Sequence, residues 1–357
     1  MALGARAADR PGGRAVTTPL PVAHVIAHGE PYAAGFAHGA ALKEQLRDFL
    51  DDGVARLNHL LPTAVSVAGL SGTLAAHRAE IARATPHLAD EITGLAAGAG
   101  LTLDEATLLQ LRREIMGYQR IPARGDCTTY ARPGVLAQTV DLNGNLDDRI
   151  AVLEVGHGDR RALVLSFAGL LGYLGVNSHG LAVGLNLVLG GRWGPGVPPY
   201  LAIRHLLDTA TSVESAIAVL RALPLASSRT LVLADAATTA WVEVIGDAYR
   251  VTTGRESVHT NHFLAPDFAT RDELNVFARN SSLRRLQAAE TGLRALPANA
   301  HPEEHFALLS QPPICVGDDG DIRRERTVCA VVLDTKNRAL FLRPGDPRLS
   351  RTRSFAL

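Results

Sequence analysis

The chain has 357 residues, 46% of them hydrophobic and 20% charged, so it can bury a large core without disulfides or metal. Lys plus Arg and Asp plus Glu balance at 36 each, which removes the electrostatic case for nucleic acid or an anionic membrane surface and leaves a small molecule as the expected partner. Three cysteines, Cys127, Cys315 and Cys329, include no CxxC pair and leave an odd thiol under any pairing, which favours a reducing compartment.

Residues 1–23 carry Arg6, Arg10 and Arg14 without an apolar run, and Pro11-Gly12-Gly13 breaks any amphipathic helix there, so the segment is expected to be a disordered leader rather than a secretory signal. No stretch of about 18 apolar residues occurs, so no membrane span and a cytoplasmic location are expected. Phe36, Ala40, Leu42, Leu46 and Leu50 recur at helical spacing, predicting one amphipathic helix over 31–52. A second helix is predicted over 74–84. Pro86 restarts helix, which ends at Gly98-Ala99-Gly100, and Thr102 with Glu105 has capping-box spacing for a third helix reaching Met116.

Beyond residue 126 the pattern changes to strands. Thr128 to Val140, folded about Pro133-Gly134, reads as a hairpin, and further strands are predicted at 150–155, 162–167 and 181–187. Helices at 200–207 and 213–220, strands at 230–234 and 239–244, helices at 279–291 and 302–309, and strands at 327–333 and 339–342 complete the order. This order suits helices packed on antiparallel sheets, an α+β fold. The Gly-rich stretch 169–196 lacks both G-x-G-x-x-G and Gly-Lys-Ser/Thr, so tight turns explain it better than phosphate binding.

Cys127 stands where helix gives way to strand, in Gly125-Asp126-Cys127-Thr128-Thr129-Tyr130. A buried structural thiol is the ordinary reading of a lone cysteine. A thiol at a new amino terminus, however, gains a base, because the α-amino group released by cleavage has a pKa of roughly 8. His259 and His262 beside Asn261 admit a papain-like Cys-His-Asn set as another arrangement, one that leaves the position of Cys127 unexplained.

Cys127-Thr128-Thr129, Gly180-Leu181 followed by Asn186, Thr260-Asn261-His262-Phe263, and Pro86-x-Leu88-x3-Ile92-x-Gly94 with Gly98 and Gly100 occur together, after Tyr32, Gly35, His38 and Gly39. Jointly they resemble the isopenicillin N acyltransferase family of autoproteolytic N-terminal nucleophile (Ntn) hydrolases. The resemblance implies a four-layer αββα sandwich with antiparallel sheets. It implies cleavage between Asp126 and Cys127 into a helical α chain (24–126) and a strand-rich catalytic β chain (127–357), which form one domain and stay associated. It implies Cys127 as nucleophile and Asn261 as oxyanion donor. Asp141, fourteen residues past Cys127 and across the hairpin, would orient the α-amino group. Arg324, with Arg326 as alternate, would bind a substrate carboxylate or steady the site, and Thr129 and His262 would support it. The family commonly has Gly before the nucleophile, where this chain has Asp126.

The expected substrate is a small amide or acyl thioester, with neither metal nor organic cofactor. Hydrolysis and transfer to an amine share every catalytic residue, and an uncut binding or scaffold protein is the rival of another class. Association of two copies stays open.

Overall fold

A computed structural model describes residues 20, 22–117 and 127–357. Most of the expected leader, and Asp126 of the expected cleavage site, lie outside the described residues.

The first part contains β1 (Ala23–His28), α1 (Pro31–Ala41), α2 (Lys43–Asp51), α3 (Leu57–Leu60), α4 (Val67–Ala84), α5 (Pro86–Ala99) and α6 (Leu103–Met116). The single helix expected over 31–52 is broken at Leu42, whose φ of −112° and ψ of 13° leave helical geometry. Ser66 starts α4 earlier than expected by accepting the Gly69 N–H. Pro86 opens α5 and a left-handed Gly100 closes it, while Thr102 and Glu105 form both halves of the capping box on α6.

Four glycines in two G-x3-G pairs hold α1 against α5. A Cβ added to Gly35 would stand 2.0 Å from the Glu91 carbonyl oxygen, and one on Gly94 would stand 2.0 Å from that of Tyr32. The colliding atoms are backbone and cannot swing aside. Gly94→Ala is therefore expected to lower stability by about 2 kcal/mol or more through forced separation of the two helices, as measured by denaturant unfolding. An unchanged midpoint would show that the pair tolerates a wider spacing.

The second part contains β2 (Thr128–Arg132), β3 (Val135–Leu142), β4 (Ile150–His157), β5 (Arg160–Phe167), β6 (Leu174–Asn177), β7 (Ala182–Leu187), α7 (Pro199–Thr209), α8 (Val213–Arg221), β8 (Arg229–Ala234), β9 (Thr239–Ile245), β10 (Ala248–Gly254) and β11 (Ser257–His259). After these come α9 (Pro266–Ala269), α10 (Val276–Ala295), α11 (Pro302–Leu309), β12 (Arg326–Asp334), β13 (Ala339–Pro344) and β14 (Arg353–Ala356). Every strand and helix expected here is present. The short or exposed strands β1, β6, β10, β11 and β14 were not expected.

The strands form two sheets, ordered β1-β4-β5-β6-β7-β8-β9-β10 and β11-β2-β3-β12-β13-β14. The expectation of antiparallel sheets needs one correction: β1, the first strand of the chain, pairs with β4 in parallel at the sheet edge. The sheets face each other. Gln138 on β3 crosses the gap, donating Nε2 to the Leu185 carbonyl (2.9 Å) and accepting the Leu185 N–H (3.1 Å) on β7. Outside the larger sheet, α7 receives Asn177 Nδ2 on its Leu207 carbonyl. Outside the smaller sheet, Ala289 and Leu293 of α10 and Phe306 of α11 pack on Tyr130 and Val332. The four layers are thus αββα. The main core joins side chains from both sides of residue 126, among them Leu46, Leu109, Leu136 and Leu185. Among the described residues no helix is long and apolar enough to cross a membrane, and no group of three or more His, Cys, Asp or Glu could hold a metal ion.

Candidate active site

Cys127 immediately precedes β2 and is 3% exposed. It opens into a cavity whose empty space, with its open mouth included, is about 750 Å³. Phe49, Leu109, Met116, Phe167, Leu185 and Leu187 make much of the wall, and Asp141 shares it with Cys127. The thiol lies 3.8 Å from the Tyr173 hydroxyl, whose ring stacks on that of Tyr200. Asp141, near the end of β3, is fully buried and accepts a hydrogen bond from Thr327 Oγ1 at 2.7 Å.

The backbone carbonyl of Cys127 accepts two hydrogen bonds, from Asn186 Nδ2 (2.8 Å) and Arg285 Nη1 (3.0 Å). Arg285 projects from α10 and is fully buried. Its Nη1 also reaches Thr128 Oγ1 (3.1 Å), and its Nη2 donates to Asn261 Oδ1 (2.7 Å). A guanidinium only donates, so it holds the oxygen end of the Asn261 amide and leaves Nδ2 as the donor end. Nδ2 donates to the Leu187 carbonyl at 2.9 Å. One arginine therefore links the nucleophile's backbone to the amide expected at the oxyanion.

The loop that carries Asn261 is braced from two sides. Glu243 accepts the backbone N–H groups of Leu264 and Ala265 and pairs with buried His259 at 2.9 Å. Burial pushes the Glu243 carboxyl up, but the hydrogen bonds from His259 and the backbone outweigh it and hold the group below its ordinary range. From the other side, Ser282 Oγ accepts the Asn261 N–H (2.8 Å) and lies 2.7 Å from His262 Nδ1. Burial, with the positive groups around it, pushes His262 down to about 4, so near neutrality it is an uncharged strut. Both histidines are engaged in holding the loop.

Two expected supporting residues sit elsewhere. Arg324 is partly exposed and pairs with Asp319 and Asp321 in its own Asp-rich turn, where local carboxylates neutralise it before it can reach the cavity. The alternate, Arg326, bonds Asp147 at 2.6 Å. A buried guanidinium that bonds the nucleophile's backbone is that of Arg285, which the sequence offers as one half of an unremarkable Arg284-Arg285 pair. Thr129 points between the sheets, where a Cβ on Gly184 of β7 would come within 3.3 Å of its methyl, because strand alternation turns it away. The hydroxyl that joins Arg285 is that of Thr128. Asn186 belonged to a motif, and Tyr173 had no signal in sequence. Burial pushes the other thiols up, Cys315 to about 11 and Cys329 well beyond its usual value, as suits packed cysteines.

The sequence profile of the acyl-coenzyme A:6-aminopenicillanic acid acyl-transferase family matches residues 127–349, beginning at Cys127. Over 338 residues the chain is 28% identical to the 40 kDa form of acyl-coenzyme A:6-aminopenicillanic-acid-acyltransferase of Emericella nidulans, covering 91% of this chain and 93% of that one. Among solved structures it is similar to a Caenorhabditis elegans ortholog of N-acylethanolamine-hydrolyzing acid amidase, with 15% identity and a TM-score of 0.45 over 65% of this chain and all of that one. It is also similar to the C2A mutant of conjugated bile acid hydrolase from Clostridium perfringens, with 9% identity and a TM-score of 0.47 over 65% of this chain and 92% of that one. Those two likenesses are too distant to bear on the chemistry. The profile match, spanning more than half the chain and starting at the cysteine that opens the cavity, places this protein in the acyl-coenzyme A:6-aminopenicillanic acid acyl-transferase family.

Proposed function

We propose that the protein is an Ntn-type cysteine amidohydrolase that cuts itself between Asp126 and Cys127 and then cleaves a nonpeptide amide through an acyl thioester on Cys127. The observation that carries this reading is the placement of Cys127 at the start of β2, in an apolar cavity with Asp141 and tied through Arg285 to Asn261.

In the self-cleavage, Cys127 Sγ attacks the carbonyl carbon of Asp126. The C–N bond breaks as nitrogen takes the thiol proton, which leaves a thioester and a new α-amine. Water hydrolyses the thioester and restores the thiol. In turnover, the α-amine accepts the thiol proton, Sγ adds to the substrate carbonyl, and the proton passes to the departing amine. Asn261 Nδ2 stabilises the negative oxygen of the tetrahedral intermediate, and Asp141 orients the α-ammonium group that forms. Water then releases the acid. The shared core supports continued association of the two chains.

Transfer of the acyl group to an amine, in line with the family's name, uses the same residues. Hydrolysis is preferred because water is always present, whereas transfer needs an acceptor site next to the thioester. The test is to incubate processed protein with N-acyl amides and with acyl-coenzyme A, with and without amines, and to follow products by mass. Acid and amine released from amides alone are expected. Consumption of acyl-coenzyme A only when an amine is present would make the protein a transferase. Absence of both reactions, with an intact chain, would make it a binding or scaffold protein.

A further inference from the structure

A second cavity lies away from Cys127 and shares no lining residue with the first. It opens where the β4–β5 hairpin meets α1, α5 and α7, and its empty space, with its open mouth included, is about 1020 Å³. Pro31, Ala34, Val155 and Leu207 give it an apolar wall. Three carboxylates line it, Glu30, Glu91 and Asp208, and three guanidinium groups, Arg160, Arg161 and Arg204. Glu30 stands 3.8 Å from His157, both largely exposed.

These charges balance in number but not in pairing. The buried Arg204 guanidinium serves two carboxylates: Nη1 and Nη2 each donate to Glu91 at 2.8 Å, and Nε donates to Asp208 Oδ1 at 3.0 Å. Among the described residues Asp208 Oδ2 accepts no hydrogen bond, and it lies 3.8 Å from His87 Nε2. That nitrogen is in turn 3.3 Å from His205 Nδ1. Burial holds both imidazoles below the ordinary histidine range, so near neutrality they add no positive charge to offset Asp208. Arg160 and Arg161, at the start of β5, pair with no carboxylate among the described residues. Arg160 Nη1 donates to the backbone carbonyl of Asp208 at 2.7 Å, so an unpaired guanidinium adjoins a carboxylate with an open oxygen.

We propose that this cavity is a second ligand site, independent of the chemistry at Cys127, and that it takes a small zwitterion with an apolar side chain, an α-amino acid. Its carboxylate is received by Arg160 and Arg161 and its ammonium by Asp208 Oδ2. An ammonium and a carboxylate on one carbon match opposite charges that adjoin in the wall, and each end gains charge-assisted hydrogen bonds. The test is calorimetric titration of the full-length protein with L-leucine, isocaproate and L-leucinamide, which share the apolar group and carry both charges, the anion alone and the cation alone. Leucine is expected to bind about tenfold or more tighter than either analogue, as one charge-assisted contact allows. The double variant Arg160→Gln, Arg161→Gln is expected to remove the margin over leucinamide, and Asp208→Asn the margin over isocaproate. Arg294→Gln on α10 makes a similar charge change elsewhere and should keep both margins. The two arginines are exposed, so their replacement is expected to leave the unfolding midpoint without ligand unchanged. Absence of leucine binding overturns the proposal, as does equal binding of leucine and either analogue. Margins that survive the arginine double variant, as binding in the Cys127 cavity would give, overturn it as well.

Discussion

Cys127→Ala is expected to remain a single chain and to lose turnover by a factor on the order of a million, because the same sulfur is the nucleophile for self-cleavage and for the substrate. Wild-type protein should run as two fragments on a denaturing gel, and amino-terminal sequencing of the larger should begin Cys-Thr-Thr-Tyr. Alanine at this position is a mild structural change, since the side chain faces a cavity and Cys is close to Ala in size. A loss of activity with an unchanged unfolding midpoint therefore reports chemistry. Cys127→Ser is the informative companion: its hydroxyl is the weaker nucleophile, so slow or partial cleavage is expected. An intact wild-type chain that cleaves amides would sink the exposed-terminus mechanism, because no α-amine would then be available as base.

Asn261→Ala is expected to lower kcat roughly a hundredfold or more with a modest change in KM, which is the signature of a donor that acts on charge developed only in the transition state. Removing such a donor costs about 3 kcal/mol of barrier. Arg285 extends this prediction. Its Nη2 orients the Asn261 amide and its Nη1 holds the Cys127 carbonyl, so Arg285→Ala should also lower kcat, acting through those two groups. Lysine has one nitrogen and no fork, so Arg285→Lys should rescue little. Because both residues serve one arrangement, the double variant Asn261→Ala, Arg285→Ala should lose clearly less than the product of the single losses. Wild-type turnover in Asn261→Ala would remove this residue from the oxyanion assignment. Fully multiplicative losses would show that Arg285 acts independently of it.

Much of the molecule could be read along the chain because its signals are local. The Thr102 and Glu105 capping box, Pro86 and Gly100 around α5, and the Pro133-Gly134 turn each act within a few residues, and each appears as expected. The broken helix at Leu42 and the strands β1, β10 and β14 show the limit of that logic. Such edge strands depend on a partner already in place: β1 alternates only weakly and exists as a strand by pairing with β4, more than a hundred residues later. Periodicity cannot announce a pairing of that kind.

The site divides along the same line. Cys127, Asp141 and Asn261 carry chemical types in recognisable order, and residue order alone marks them as candidates. The identity of the arginine beside them does not follow from order, since Arg324 and Arg285 each sit in a short run of basic residues. What separates them is the environment that folding supplies. Asp319 and Asp321 neutralise Arg324 within its own turn, whereas α10 lies across β2 and carries Arg285 to a carbonyl 158 residues earlier in the chain. Local carboxylates hold Arg324 at the surface in one place, and packing buries Arg285 as a shared donor in the other. Those are consequences of which surfaces exclude water, a property of packed layers and not of neighbouring residues.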